Sequence, residues 1–161
     1  ENDMIFRKQL LQGFVHDPGT AMLGGVCGHA GVFSNANDLG KMMQMYLNGG
    51  NYGGIRYFSD STLRKYTESP FKEENGNRRA IGFDKPVTEE DKPGPTFSGI
   101  SPKSYGHSGF TGTIAWADPA ENLVYIFLSN RIHPDQDNRK LIENDVRTKI
   151  QKAVYEAIIK K

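Results

Sequence analysis

A single cysteine, Cys27, stands in the 161 residues. The chain can therefore hold neither an internal disulfide nor a cysteine-based zinc site. No apolar run approaches the ~18–20 residues needed to cross a bilayer as a helix. The first ten residues, ENDMIFRKQL, contain no apolar signal-peptide core. Excess charge of one sign is missing as well, because 20 Lys+Arg against 19 Asp+Glu leave a net charge of +1. Nucleic acid is not an expected partner, since phosphate binding calls for a basic stripe that would raise this value. With 24% charged and 37% hydrophobic residues, the chain is neither a disordered tail nor a membrane protein. Repeats and low-complexity tracts are absent too.

Glycine and proline are abundant instead, at 18 and 8 residues. The surplus over average usage predicts a loop-rich fold with tight backbone passages. Residues 13–33 set His16, Asp17 and His29 among small residues and read as a long, partly buried loop ending in a short strand at Val32–Ser34. Asn35 and Asp38 have capping-box spacing, and Leu39, Met42, Met43, Tyr46 and Leu47 recur on one helical face. Asn48-Gly49-Gly50 closes that helix, glycine being the common left-handed terminator. After a turn around Asn51–Gly54, Ser59 is placed to cap a second helix, with Leu63 and Tyr66 facing inward and Pro70 preventing continuation. Residues 71–79 read as a solvated loop and Ala80–Phe83 as a strand. Residues 84–103, with four prolines, read as an irregular excursion.

The clearest β signal runs from Ser104 to Asn130. The segments SYGHSG, GTIAWAD and LVYIFLSN are joined by connections short enough for an antiparallel meander. Leu123–Leu128 is apolar at every position and is expected to be buried on both faces. Asp137–Lys161 reads as one long amphipathic helix, with Ile142, Val146, Ile150, Ala153, Val154, Ala157 and Ile158 on its stripe. A meander followed by a helix that needs a sheet to cover predicts a layered α+β architecture.

The most chemical segment is Tyr105-Gly-His-Ser-Gly-Phe-Thr-Gly112. His107 offers a proton carrier, Ser108 a hydroxyl, and the three glycines room for a ligand against the strand backbone; a plain Gly-rich hairpin with a surface histidine fits the same residues. A nucleophile elbow is excluded, because Phe110 stands where G-x-S-x-G needs its last glycine.

Taken in order, VHDPG, GGVCGHAGVFSNANDLGKMMQMYLNGG, YGHSGFTGT, WADP and the strand ending LSNR resemble the serine β-lactamase-related family. That family comprises class C β-lactamases, penicillin-binding DD-peptidases and related esterases. The resemblance covers roughly residues 4–133 and extends to the terminal helix. It implies a β-lactamase/transpeptidase-like α+β fold and acyl transfer through a serine ester on a β-lactam, a D-amino-acid peptide or a simple ester. In the family, Ser-x-x-Lys supplies nucleophile and base, Tyr-x-Asn a second wall, and Lys/His-Ser/Thr-Gly a third. Here the third element is His107-Ser108-Gly109. By resemblance Ser108, with Gly109, binds a substrate carboxylate or carbonyl, His107 supplies polarity or charge where relatives carry lysine, and the Phe110 N–H is one oxyanion-hole donor.

The first two motifs have no convincing counterpart. Ser69-Pro-Phe-Lys72 and Tyr46-Leu-Asn48 match as strings, but nine serines and twelve lysines make such a match an ordinary accident. Their order is reversed relative to the family, and Ser69 sits among acidic residues rather than at the head of an apolar helix. The expectation is therefore a single partial domain over 1–161. It would be the C-terminal portion of a serine hydrolase, lacking the N-terminal strands and helical subdomain and inactive alone. The alternative is a non-catalytic β-lactamase-like binding or assembly module, in one variant trailing a cell-wall glycoside hydrolase. The resemblance also implies an envelope or periplasmic location for the parent. Without its neighbouring strand, the Leu123–Asn130 edge is expected to pair with another chain.

No cofactor and no metal is expected. His16, Asp17 and His29 lack ligand spacing, and the resemblance gives them a structural role beside the active-site floor. Phe110 and Trp116 are candidates to line the cleft, with ordinary sheet packing an equal alternative for Trp116, and Cys27 is expected to be a buried small residue.

Overall fold

A computed structural model describes residues 1–89 and 92–158. An N-terminal hairpin, β1 (Asn2–Asp3) and β2 (Gln9–Leu10), leads to a short helix α1 (Pro18–Met22) and then to α2 (Ala36–Leu47). A second hairpin, β3 (Asn51–Tyr52) and β4 (Ile55–Arg56), precedes α3 (Asp60–Thr67) and the single turn α4 (Lys72–Asn75). The meander follows as β5 (Tyr105–Ser108), β6 (Ile114–Asp118) and β7 (Leu123–Phe127), and the chain ends in α5 (Lys140–Glu143) and α6 (Val146–Glu156).

Local chemistry explains the helix ends. The Asn35 side chain accepts the Asp38 N–H at 3.0 Å and so satisfies one orphan donor of α2. Gly49 and Gly50 follow α2 at φ +63 and +89, and a Cβ on Gly50 would overlap the Phe58 carbonyl. Ser59 caps α3 through the Thr62 N–H at 3.1 Å. Leu63 is buried as expected, whereas Tyr66 is 45% exposed.

The three-stranded sheet has order β5-β6-β7, antiparallel throughout, with His107 opposite Ala115 and Ser108 opposite Ile114. Alternation along the strands divides the core in two. On one face Met43 of α2 packs with Tyr105 and Ala117, joined by Tyr46, Leu47 and Phe83. On the other, Ile114, Trp116, Tyr125 and Ile100 pack with Phe97 and with Tyr155 of α6. Trp116, 1% exposed, belongs wholly to this core rather than to a cleft.

Several expectations are corrected. Val32–Ser34 and Ala80–Phe83 are not strands; only Asp84, just after the second region, makes an isolated bridge, to Gly106. Residues 71–79 contain the turn of helix α4. β7 is half-buried except at Tyr125, and Leu128 is 39% exposed, because one edge of the strand has no neighbour among the described residues.

The long terminal helix is broken in two, since Asp145 takes a left-handed φ of +52 between α5 and α6. Its last expected residues, 159–161, lie outside the described residues. The stripe also faces the other way. Gln151 is fully buried and accepts the Phe97 N–H at 3.2 Å, while the Tyr155 hydroxyl donates to Asp118 at 2.9 Å. Ile150 and Val154 are 42% and 37% exposed. These polar anchors hold the Gln151–Tyr155 face against the sheet and leave the apolar one uncovered.

Candidate active site

β5 is an edge strand of the meander, and Asp84 covers part of its outer side. The Asp84 N–H donates to the Gly106 carbonyl at 2.7 Å, and the Gly106 N–H donates back at 3.1 Å. Beyond that bridge the strand runs into the turn Gly109–Thr113, closed by the Gly109 N–H on the Thr113 carbonyl at 2.9 Å. The glycines serve this packing rather than open space. A Cβ on Gly106 would overlap the Ala115 carbonyl and the Trp116 ring, and one on Gly112, at φ +98, would overlap the Ser129 hydroxyl.

Ser108, Gly109 and Phe110 line a cavity of about 500 Å³, together with Arg131, Asp137 and Arg147. Among the described residues no partner takes up the Ser108 hydroxyl, and no acceptor takes the Phe110 N–H. The Phe110 carbonyl is held by the Arg131 Nε–H at 2.8 Å, and that guanidinium also lies 4.4 Å from the Phe110 ring centroid. Arg131 is 9% exposed and donates further to the carbonyls of Gln136 and Asn138. His16 stacks on the same ring at 5.2 Å, and its Nε2 lies 2.5 Å from Glu1. The Phe110 backbone is thus clamped while 61% of the residue stays exposed. Burial and the nearby Arg131 charge pull Arg147 below the ordinary arginine value.

His107 is placed apart from this cavity. It pairs with Ala115, on the sheet face that α2 covers, whereas Ser108 pairs with Ile114 on the other. Its Nδ1 is 2.8 Å from the Ser108 carbonyl and its Nε2 is 3.4 Å from Arg79 Nη1. The contacts of Arg131 and Arg79, and the stacking of His16 on Phe110, were not read from the sequence, which carries no short-range signal for contacts spanning 21 to 94 residues.

The loop histidine is part of a separate cluster. Asp17 caps α1 through the Thr20 N–H at 2.7 Å and lies 2.9 Å from His29 Nε2. His29 Nδ1 is 3.2 Å from Cys27 Sγ, and Cys27 is half-buried rather than buried. The His29 backbone N–H and ring hold the Cys27 thiol below its ordinary pKa, and Asp17, then Cys27, raise that of His29. Among the described residues no group of three such side chains is arranged to hold a metal.

The string Ser69–Lys72 is used structurally. The Ser69 hydroxyl donates to the Arg78 carbonyl at 2.6 Å, and Lys72 opens α4.

The Beta-lactamase family model matches residues 6–148, and the chain belongs to that family. A protein of Salmonella gallinarum, by name a candidate D-alanyl-D-alanine carboxypeptidase, is 36% identical over 140 residues; the match covers 86% of this chain and 31% of that protein. Proteins of the same name from Salmonella paratyphi B and Salmonella newport are 38% identical over 141 residues, with the same coverage. The chain therefore spans about a third of the length of the curated relatives it matches. No helix among the described residues is long and apolar enough to cross a membrane.

Proposed function

We propose that this chain is the C-terminal part of an acyl-serine hydrolase of the D-alanyl-D-alanine carboxypeptidase kind. It contributes one wall of the cleft, and the nucleophilic serine and its lysine come from elsewhere in the full-length protein. The observation that carries this reading is the pair of uncommitted donors on the cavity rim, the Ser108 hydroxyl and the Phe110 N–H.

In acyl transfer the serine oxygen bonds to the carbonyl carbon, and the carbonyl's π pair moves onto its oxygen. That oxyanion needs donors fixed in advance, because a donor that must reorient loses much of its stabilising effect. The Phe110 N–H supplies one donor and the nucleophile's own N–H the other. Collapse of the intermediate expels the amine with a proton, and water then attacks the serine ester to release the acid. Ser108 donates its hydroxyl to the terminal carboxylate or carbonyl of the substrate. Arg131 is a positioning residue, holding the Phe110 backbone by its carbonyl.

The partial-domain reading is supported by the length relation to the relatives and by the apolar surface left uncovered. Ile5, Phe14, Val26, Val32 and Ile150 are each at least 42% exposed, the pattern of faces that another part of a domain would cover. The D-alanyl-D-alanine carboxypeptidase names of the relatives support an envelope or periplasmic location for the parent. The chain by itself is inactive and self-associates through the Leu123–Asn130 edge.

The test is release of D-alanine from an N-acyl-D-alanyl-D-alanine by the full-length protein. Turnover that falls about tenfold in kcat/KM on Ser108→Ala, as for loss of one substrate hydrogen bond, supports the reading. No turnover and no acylation by a penicillin or activated ester overturns it in favour of a non-catalytic binding module.

A further inference from the structure

We propose that Cys27, His29 and Asp17 form a modification site in which a hydroperoxide oxidises the Cys27 sulfur to a sulfenic acid. None of the three lines the Ser108–Phe110 cavity, and the site does not depend on the acyl-hydrolase reading.

The three side chains stand in a line. Asp17 Oδ1 is 2.9 Å from His29 Nε2, and His29 Nδ1 is 3.2 Å from Cys27 Sγ. A carboxylate only accepts, so the first contact puts the ring proton of a neutral His29 on Nε2. The lone pair is then on Nδ1, facing the thiol. Transfer of the thiol proton to it leaves a thiolate beside an imidazolium that donates at both nitrogens, to the sulfur and to Asp17. A nucleophile, a base within hydrogen-bond reach of it and a third group orienting the base make the arrangement that activates a weak nucleophile.

The scaffold holds this line in place. Asp17 also accepts the Thr20 N–H at 2.7 Å, and the Thr20 hydroxyl lies 3.2 Å from His29 Nε2. Thr20 is fully buried, and the loop carrying Cys27 packs against it. A Cβ on Gly31, at φ +107, would stand 2.9 Å from the Gly25 carbonyl oxygen and 3.1 Å from the Thr20 methyl. The cluster nonetheless opens outward: Cys27 is half-buried, and the His29 and Asp17 side chains are 56% and 37% exposed.

The donors around the sulfur select the reaction. The backbone N–H of His29, and with it that of Gly28, favours the thiolate as the ring does. Acyl transfer would need such N–H groups aimed at a developing oxyanion instead. A hydroperoxide needs a proton for its leaving oxygen, and the imidazolium carries one. The thiolate sulfur bonds to one peroxide oxygen, the O–O bond breaks, and the departing hydroxide or alkoxide takes the proton from His29 Nδ1. Sulfur gives up two electrons, and the peroxide is reduced to water or an alcohol. Residues 1–161 hold no second cysteine. The sulfenic acid is thus open to a low-molecular-weight thiol, which closes it as a mixed disulfide with loss of water.

The test treats the full-length protein with hydrogen peroxide, traps sulfenic acid with dimedone and follows the Cys27 peptide by mass spectrometry. The native wild type is expected to gain the adduct on Cys27 about 100-fold faster than the same protein unfolded in guanidinium, the low end of what a positioned acid–base group contributes. His29→Asn is expected to lose that advantage. Asp17→Asn, whose amide can still cap α1, is expected to lose part of it. A native rate no faster than the unfolded one, a rate retained in full by either variant, or no adduct on Cys27 overturns the inference.

Discussion

The Phe110 carbonyl and the Arg131 guanidinium are joined twice, by an Nε–H hydrogen bond of 2.8 Å and by a cation–π contact of 4.4 Å. The two residues stand on different connections, one after β5 and the other after β7. Their pairing, extended by Arg131 to the Gln136 and Asn138 carbonyls, ties the Gly109–Thr113 turn to the segment leading into α5. A backbone N–H that must be in place before an oxyanion forms needs such a tether.

Replacing Arg131 by Met in the full-length protein should therefore act on the chemical step. We expect kcat to fall about 10- to 100-fold, in line with loss of a well-placed oxyanion donor, with KM changing less. The freed carbonyls should also cost about 1–3 kcal/mol of stability in a denaturant titration. A raised KM at unchanged kcat would assign Arg131 to substrate binding instead.

Cys27 should carry more thiolate than an ordinary cysteine at the same pH. The His29 backbone N–H and ring hold its pKa down, and Asp17 helps keep His29 cationic to higher pH than usual. Reactivity is thus present above the lowered thiol pKa and lost as pH falls through it. Iodoacetamide labelling near pH 7 should be slower in His29→Asn, reflecting a smaller thiolate fraction, with the pH profile moved to the alkaline side. Equal rates and profiles would show the cluster to be inert.

Lys85 gives the stability a measurable pH dependence. Its Nζ donates to the Thr67 and Lys103 carbonyls at 3.1 Å each, and burial pushes its pKa down to about 8. Between that value and the ordinary lysine value, the unfolded chain binds a proton that the folded chain does not. Stability therefore rises with pH across about pH 8 to 10, by about 2 kcal/mol. Above that window the sign reverses, because burial pushes Tyr105 up to about 12 and the folded state retains a phenol proton that the unfolded chain loses. Lys85→Met should abolish the rise. A flat wild-type profile from pH 8 to 10 would contradict the assignment.

The chain expressed alone should self-associate, since β7 ends the described sheet and Ile150 and Val154 are exposed. Light scattering at tens of micromolar should report dimers or larger species. A monomer would show that the exposed edge and stripe need no cover.

What the sequence made legible was local. Asn35 and Ser59 announced their helices because a cap and an apolar face lie within a few residues of each other. The meander was readable because alternation and short turns are nearest-neighbour properties. The β5 motif was readable through resemblance, as Ser108 beside Gly109. The C-terminal helix misled for a physical reason: Gln151 and Tyr155 face the sheet because Phe97 and Asp118, each more than thirty residues away, offer them hydrogen bonds. An apolar stripe indicates which face wants cover, not which face the described chain can cover. The same distance in sequence hid the contacts of Arg79 with His107 and of Arg131 with Phe110.

If residues 1–161 form one wall of an acyl-serine cleft, as proposed, the nucleophile lies elsewhere in the protein. The most direct measurement is peptide mapping of the full-length protein after reaction with a labelled penicillin. A covalent adduct is expected on a serine outside residues 1–161, in a Ser-x-x-Lys sequence at the head of an apolar helix. An adduct on Ser69, on Ser108 or on any other serine of this chain, or no adduct on any serine, would contradict it.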